Sequence, residues 1–534
     1  MSSAVVRVDA DAAIIGSGFS GSLTALALRK CGRRVVLVER GRHPRFAIGE
    51  SSTPLANLLI EELADRYDLP RVRSFSKWGT WQQARPEVAC GLKRGFSFFF
   101  HERGSPFPED PEHARQLLVA ASPHDAVADM HWYRPDFDRA LVEDAQAEGA
   151  VYLDSTRLDS VWRDGSAMIL DGERDGRSIR IHARFVIDAS GPRGFLHRAL
   201  GLDEAPRRWL PPTQGLYTHF EHVDRWDRLR PAAGTPHPVD DAAVHHVFPG
   251  GWIWVLRFNN GITSAGAALT PAIASEIAAA DGAAAWDRLL QALPSIRDQF
   301  QSARALLPFV HVPCLAFRSA RVAGPAWALL PSAAGVIDPL LSTGFPLTLL
   351  GVLRLVDLLE RTEPGRERQA ALAEYERVTI AELDATERLV AALYASMDDP
   401  PLFKRLSLLY FAAASFSEAV RRLGHSDRAP GFLLHAHPSF GPELAACTAI
   451  AASRPAGRER QALTERIDRA IEPFDVAGLL DRTRRDWFPV LATDILASAA
   501  KLGATRAEVV RLLERSGFTF EEGSARGDGQ RRAQ

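Results

Sequence analysis

Cysteine is scarce: the 534 residues hold Cys31, Cys90, Cys314 and Cys447 only, far apart and with no CxxC pair. That argues against a disulfide framework and a structural zinc site, and points to a reducing compartment. Charge of one sign is also lacking. Sixty-four Lys and Arg stand against 66 Asp and Glu, for a formal net charge of −2. No global field therefore selects nucleic acid or an anionic membrane surface. The opening stretch MSSAVVRVDADAAII has no basic segment followed by a long apolar core, so no secretory signal is read. The longest apolar region, 326–350, is interrupted by Pro331, Asp338, Pro339 and Pro346 and reads as buried core, not as a membrane span. No GxSxG elbow and no GxxxxGK[ST] loop appears. His101, His131, His245 and His246 lie near aromatic runs but form no metal-ligand spacing, so no metal is expected. A cytoplasmic enzyme of two to four domains, or of one large elaborated domain, is the expectation.

What is present is mixed α/β. The short apolar run DAAII leads into GSGFSG, then into the helical SLTALALRK, then into the strand RRVVLVER. This is a β-turn-α-β unit of the length a parallel crossover needs. Gly16, Gly18 and Gly21 have the spacing in which the first glycine turns, the second admits a diphosphate and the third lets helix and strand pack closely. Glu39 closes the second strand, where a carboxylate accepts hydrogen bonds from adenosine ribose hydroxyls. The unit predicts a bound dinucleotide, FAD or NAD. Two later glycine turns extend the pattern: FVIDASGPRGFLHRAL, which holds Asp188, Gly191 and Arg193, and LLPSAAGVIDPLLSTGF. Segments spread over so much chain suit an extended FAD. Residues 245–269 alternate as antiparallel sheet, and 366–425 and 463–515 have helical periodicity. Within GWIWVLRF, alternation puts Trp252 and Trp254 on one strand face, where they either fill a core or keep water from a site.

The motifs GSGFSG, IGESSTP, WIW and GVIDPLLSTG, in that order over residues 10–360, resemble the flavin-dependent halogenase family, within the FAD-dependent aromatic monooxygenases. The resemblance implies an α/β fold. An FAD-binding, Rossmann-like (GR2-type) domain would draw on 1–200 and 300–360, and a substrate-side antiparallel sheet on 75–135 and 200–300. A helical region over 361–520 and a disordered tail, 521–534, would complete the chain. It implies reduced FAD delivered by a separate flavin reductase, O2, and a flavin C4a-hydroperoxide that oxidises halide. A lysine at a tunnel end then directs hypohalous acid to an electron-rich phenol-, pyrrole- or indole-like ring, either free or bound to a carrier or peptide. Cofactor-binding candidates are Gly16, Gly18, Gly21, Glu39, Arg134, Asp188, Ser332, Gly335 and Asp338. Ser342, Thr343 and Gly344 match the halide-side turn. Trp252, Trp254 and a lysine are the catalytic candidates; Lys77 in SFSKWGTW is favoured over Lys93 in CGLKRGFSFFF.

Four residues in three motifs depart from the family pattern. Arg257 replaces the proline of its Trp-x-Trp-x-Ile-Pro motif, which would alter what the tunnel passes. Pro331-Ser332 replaces a Gly-Asp pair that holds the ribityl chain, and Leu341 replaces the glutamate of tryptophan halogenases, which argues against free tryptophan. Three readings stay open at this level: halogenation, direct hydroxylation of an aromatic, and a non-catalytic partner in a biosynthetic or maturation cluster.

Overall fold

The computed structural model describes residues 5–518, so the expected tail lies outside the described residues. Two large sheets and a layer of helices share one core. The first sheet runs in the order 323–324, 327–329, 177–188, 6–15, 35–38, 151–153. Its four central strands are parallel. The strand Val35–Val38 is apolar throughout because both of its faces are covered. The helix Phe19–Lys30 lies on the sheet and buries every residue from Phe19 to Leu28. A hairpin, Thr156–Asp164 and Ala167–Arg174, extends the strand Arg177–Asp188 on its antiparallel side.

The second sheet is built round the antiparallel meander Ala243–Phe248, Gly251–Arg257 and Thr263–Leu269. Gly95–Phe100 joins it in parallel to Ala243–Phe248. The alternation decides which core each side chain enters. Trp252, Trp254 and Leu256 face the core shared with the first sheet and the C-terminal helices. Ile253 and Val255 face a separate core with Trp286, Leu289 and Phe300. From the mainly helical C-terminal region, the two-residue strand Trp487–Phe488 adds an edge beside Gln116–Ala120. The helices Arg366–Ala395 and Pro400–Arg422 cover the junction of the sheets. The apolar helix that begins at Gly344 is long enough to cross a membrane, but most of it is buried inside the protein, as core.

Candidate active site

The nucleotide end forms where the strand Val6–Ile15 turns into the helix Phe19–Lys30. Gly16 adopts φ +97°, and its N–H donates to Val38 O at 2.8 Å, which ties the turn to the neighbouring strand. A Cβ on Gly21 would stand 1.9 Å from Gly16 O, so only glycine lets helix and strand meet there. Glu39 is buried at the end of its strand. It accepts Ser17 N–H at 3.2 Å and Gly41 N–H at 3.0 Å, and faces Arg45 at 3.4 Å. Burial pushes the Glu39 pKa up, but the Arg45 charge and these donors together hold it below the usual carboxylate value.

Arg134 comes to the same turn from a distant helix. Its Nε and Nη2 each donate to Asp138 at 2.8 Å, and Nη1 donates to Ile48 O and Gly49 O at 3.1 and 2.9 Å. A side chain on Gly18 would reach to 3.3 Å from this guanidinium. Arg134 therefore stands beside the diphosphate end of the motif. Glycine space, a helix N-terminus and a fixed cation fit an FAD diphosphate. Gly344, in the third glycine turn, borders open space, since a Cβ there would meet nothing within 4 Å.

Three candidates play other parts. The Asp188 carboxylate turns back on its own loop, accepting Ser190 N–H at 2.8 Å and Leu196 N–H at 2.6 Å, and so holds the second glycine turn in shape. Ser332 Oγ lies 3.4 Å from Ser20 Oγ on the nucleotide helix, and Gly335 passes under Leu383. Gly351 accommodates Pro331: a Cβ there would stand 2.2 Å from the proline ring. The Pro-Ser substitution is thus packed into the fold.

Asp338 joins the third glycine turn to the tryptophan strand. Its Oδ1 accepts Trp252 Nε1–H at 3.2 Å and Leu340 N–H at 3.1 Å. Its Oδ2 accepts the hydroxyls of Thr213 at 3.3 Å and Tyr394 at 2.9 Å. Burial outweighs these bonds and pushes the Asp338 pKa up to about 6. Trp252 and the Ser342-Thr343-Gly344 turn thus lie on the same side of the molecule. Trp254, 5.7 Å from Trp252 between ring centroids, donates to Ser264 Oγ at 3.3 Å. Just before the turn, Leu341 and Ser342 both adopt left-handed backbone, φ +64° and +55°, although neither is glycine. Pairing left-handed residues with the right-handed Thr343 points successive N–H groups one way, as an anion nest does. Such strain costs about 1–3 kcal/mol per residue and marks functional loops more often than structural ones.

Arg257 corrects an expectation. It points to the opposite sheet face, where its guanidinium meets the buried Asp240 at 3.1 Å and Val223 O at 2.8 Å. Its charge is spent outside the tryptophan side of the strand and alters no tunnel there.

The two lysines occupy different surroundings. Lys93 is fully buried. Its Nζ donates to Ser52 O and stands 3.8 Å from the centroid of Phe96, with Asp129 opposite it in the strand ladder. Burial lowers the Lys93 pKa and raises that of Asp129, and their mutual attraction opposes both shifts. Asn57 fixes Asp129 with a 2.7 Å bond. A stack of rings leads from Phe96 through His245 to Trp252, with centroids 5.9 and 5.1 Å apart. Lys77 lies at a helix start, 3.6 Å from Glu61 and partly exposed. Both lysines relate to one apolar cavity of about 180 Å³ between Pro54, Phe96 and the helix Pro400–Arg422. Lys77 lines it directly; Lys93 lies behind the Phe96 wall. Glu50 secures the adjoining loop with a 2.8 Å bond to His219 on the second sheet, both side chains being buried.

Sequence reasoning missed Arg45, Asp129 and Tyr394. Arg45 lies six residues after Glu39 on the same stretch of chain, whereas the others become neighbours only in the folded chain.

This arrangement of fold and site defines an FAD-dependent oxidoreductase, and residues 11–329 match the family model of that description, FAD dependent oxidoreductase. Tetracycline 7-halogenase of Kitasatospora aureofaciens is 31% identical over 427 residues, spanning 76% of this chain and 73% of that protein. Monodechloroaminopyrrolnitrin halogenase PrnC of Pseudomonas fluorescens is 31% identical over 401 residues, spanning 73% and 68%. The crystal structure of halogenase PltM in complex with phloroglucinol and FAD superposes with a TM-score of 0.79 at 26% identity, covering 89% of this chain and 99% of that one. The chain belongs to the flavin-dependent halogenases. It is an enzyme that uses FAD and a halide to halogenate an aromatic ring.

Proposed function

We propose that this halogenase acts on a phenol-like ring held in the cavity beside Phe96, with Lys93 as the lysine that meets hypohalous acid. The observation that carries this is the position of Lys93: a fully buried ammonium behind the wall of the aromatic cavity, reached from Trp252 through stacked rings. Bound FAD, held by Gly16, Gly18, Gly21, Glu39 and Arg134, supplies the oxygen activation that turns halide into hypohalous acid. The strained turn Leu341–Thr343 holds the halide by its N–H groups. Trp252 and Trp254, fixed through Asp338 and Ser264, keep water out of the core between the strained turn and the ring stack. Lys93 Nζ, anchored on Ser52 O and with the Asp129 charge favouring its protonated form against burial, hands a proton to the oxygen of hypohalous acid as the halogen passes to the ring. Lys77, paired with Glu61 at the cavity rim, serves binding instead. Neither departure supports direct hydroxylation over halogenation, since Arg257 leaves the site and Pro331 is packed under Gly351. Leu341, buried where tryptophan halogenases carry a glutamate, supports a phenolic ring over free tryptophan. A separate flavin reductase delivers reduced FAD, and the enzyme works in the cytoplasm.

The test is reductase-coupled turnover of a phenol in bromide buffer by Lys93→Met and Lys77→Met. Lys93→Met loses at least ~10²-fold in kcat, the weight of one positioned proton donor, and Lys77→Met changes mainly KM. The opposite pattern assigns the reaction to Lys77.

A further inference from the structure

The cavity beside Phe96 carries polar groups that the proposed chemistry does not yet use. Its walls are aromatic and aliphatic, but Glu418 and Ser122 also line it. Ser122 is buried, and its hydroxyl has no hydrogen-bond partner. Glu418 uses one oxygen: Oε1 accepts Arg422 Nε–H at 2.8 Å, the arginine being shared with Glu61 at 3.2 Å. Among the described residues nothing bonds its second oxygen, and the side chain keeps 24% exposure. That oxygen, open at the cavity, is available to accept a hydrogen bond from a bound ligand. Phe411 and Glu418 lie seven residues apart on one helix and both line the cavity. At ~1.5 Å rise per residue they are two turns, about 10 Å, apart. An aromatic ring resting on Phe96 and Phe411 shares the cavity with the Glu418 carboxylate.

We propose that Glu418 is the base that binds and deprotonates the phenolic hydroxyl. This rests on the reading that the cavity holds a phenol. As the ring carbon bonds the halogen, the halogen–oxygen bond of hypohalous acid breaks and its hydroxide takes the Lys93 proton to leave as water. The phenolic proton passes to the Glu418 carboxylate, leaving a halogenated dienone. Loss of the ring hydrogen and return of the Glu418 proton to oxygen restore the aromatic phenol. The amine is reprotonated by that ring hydrogen, so the net change is replacement of one ring hydrogen by halogen and formation of one water. Putting the negative charge on oxygen within the transition state is what makes the ring reactive, and a fixed base contributes ~10²–10⁴-fold.

Glu418→Gln keeps the shape and a bond to Arg422, while Glu61 still pairs that arginine. Resorcinol and its dimethyl ether serve as probes, with binding measured by calorimetry and turnover measured in bromide. In the wild type, resorcinol binds and reacts at least ~10²-fold better than the ether, which has no proton to give. In Glu418→Gln that preference falls to within ~10-fold, and resorcinol binding weakens while ether binding does not. Glu418→Asp is the second variant, expected to restore part of the preference. Equal losses for both probes, or an unchanged preference in a folded Glu418→Gln chain, overturn the assignment. If the wild type yields no brominated phenol at all, the functional reading fails. The calorimetric split between the two probes then still decides whether Glu418 recognises a hydroxyl.

Discussion

Replacing Asp338 with asparagine isolates the group that couples the strained turn to the tryptophan strand. Its Oδ1 receives two donors that cannot rotate, Trp252 Nε1–H and Leu340 N–H. Its Oδ2 receives two hydroxyls, of Thr213 and Tyr394, which can swing round to accept instead. An asparagine with its oxygen at the first place and its amide nitrogen at the second keeps all four contacts, so the variant folds. What changes is the response to pH. The wild-type carboxyl is raised from 3.8 to about 6. The folded chain therefore holds this proton after the unfolded chain has released it, and stability falls as pH rises between those values. At about 1.4 kcal/mol per unit, the wild type loses about 3 kcal/mol relative to Asp338→Asn across that window, and no more above it. Guanidinium unfolding followed by tryptophan fluorescence, at several pH values between about 4 and about 7, reads the difference directly. A gap between the two chains that stays constant with pH refutes the claim that Asp338 titrates buried beneath Trp252. Asp338→Ala, in contrast, leaves two buried N–H donors unmet, at about 1–3 kcal/mol each.

Gly21→Ala places a methyl 1.9 Å from a backbone oxygen, so the purified chain is expected to lose its flavin colour and cofactor retention on gel filtration. A variant that retains FAD normally shows that the turn does not seat the diphosphate. Arg257→Met leaves Asp240 buried without its cation and is expected to destabilise the fold by about 3–5 kcal/mol while leaving the position of halogenation on the product unchanged. A shifted product pattern returns Arg257 to the tunnel.

Much of this architecture was legible where one residue's chemistry suffices. Gly16, Gly18, Gly21 and Glu39 carry a signal tied to a backbone shape, and the Trp252–Trp254 alternation identifies a strand face without a partner. The same alternation, taken three residues further, turns Arg257 to the other face; the family motif drew attention away from that parity. The choice between Lys77 and Lys93 was not legible. Lys93 is buried because Cys90–Lys93 pairs with Asp129–Trp132, a contact between segments that carry no mutual signal. Asp338 read as a cofactor contact from its glycine-rich setting, yet Trp252, Thr213 and Tyr394 reach it from three distant elements. Trp487–Phe488 is too short for any periodicity to reveal it as a strand.

The central claim is that halogen oxidised on the Trp252 side of the sheet reaches a ring in the cavity walled by Phe96, with Lys93 behind that wall. The most direct measurement is the mass of the product formed from one phenol by the complete system, wild-type chain, FAD, reductase and O2, in bromide buffer and in halide-free buffer. The account predicts a monobrominated phenol in bromide and unchanged phenol without halide. A hydroxylated product in both buffers contradicts it.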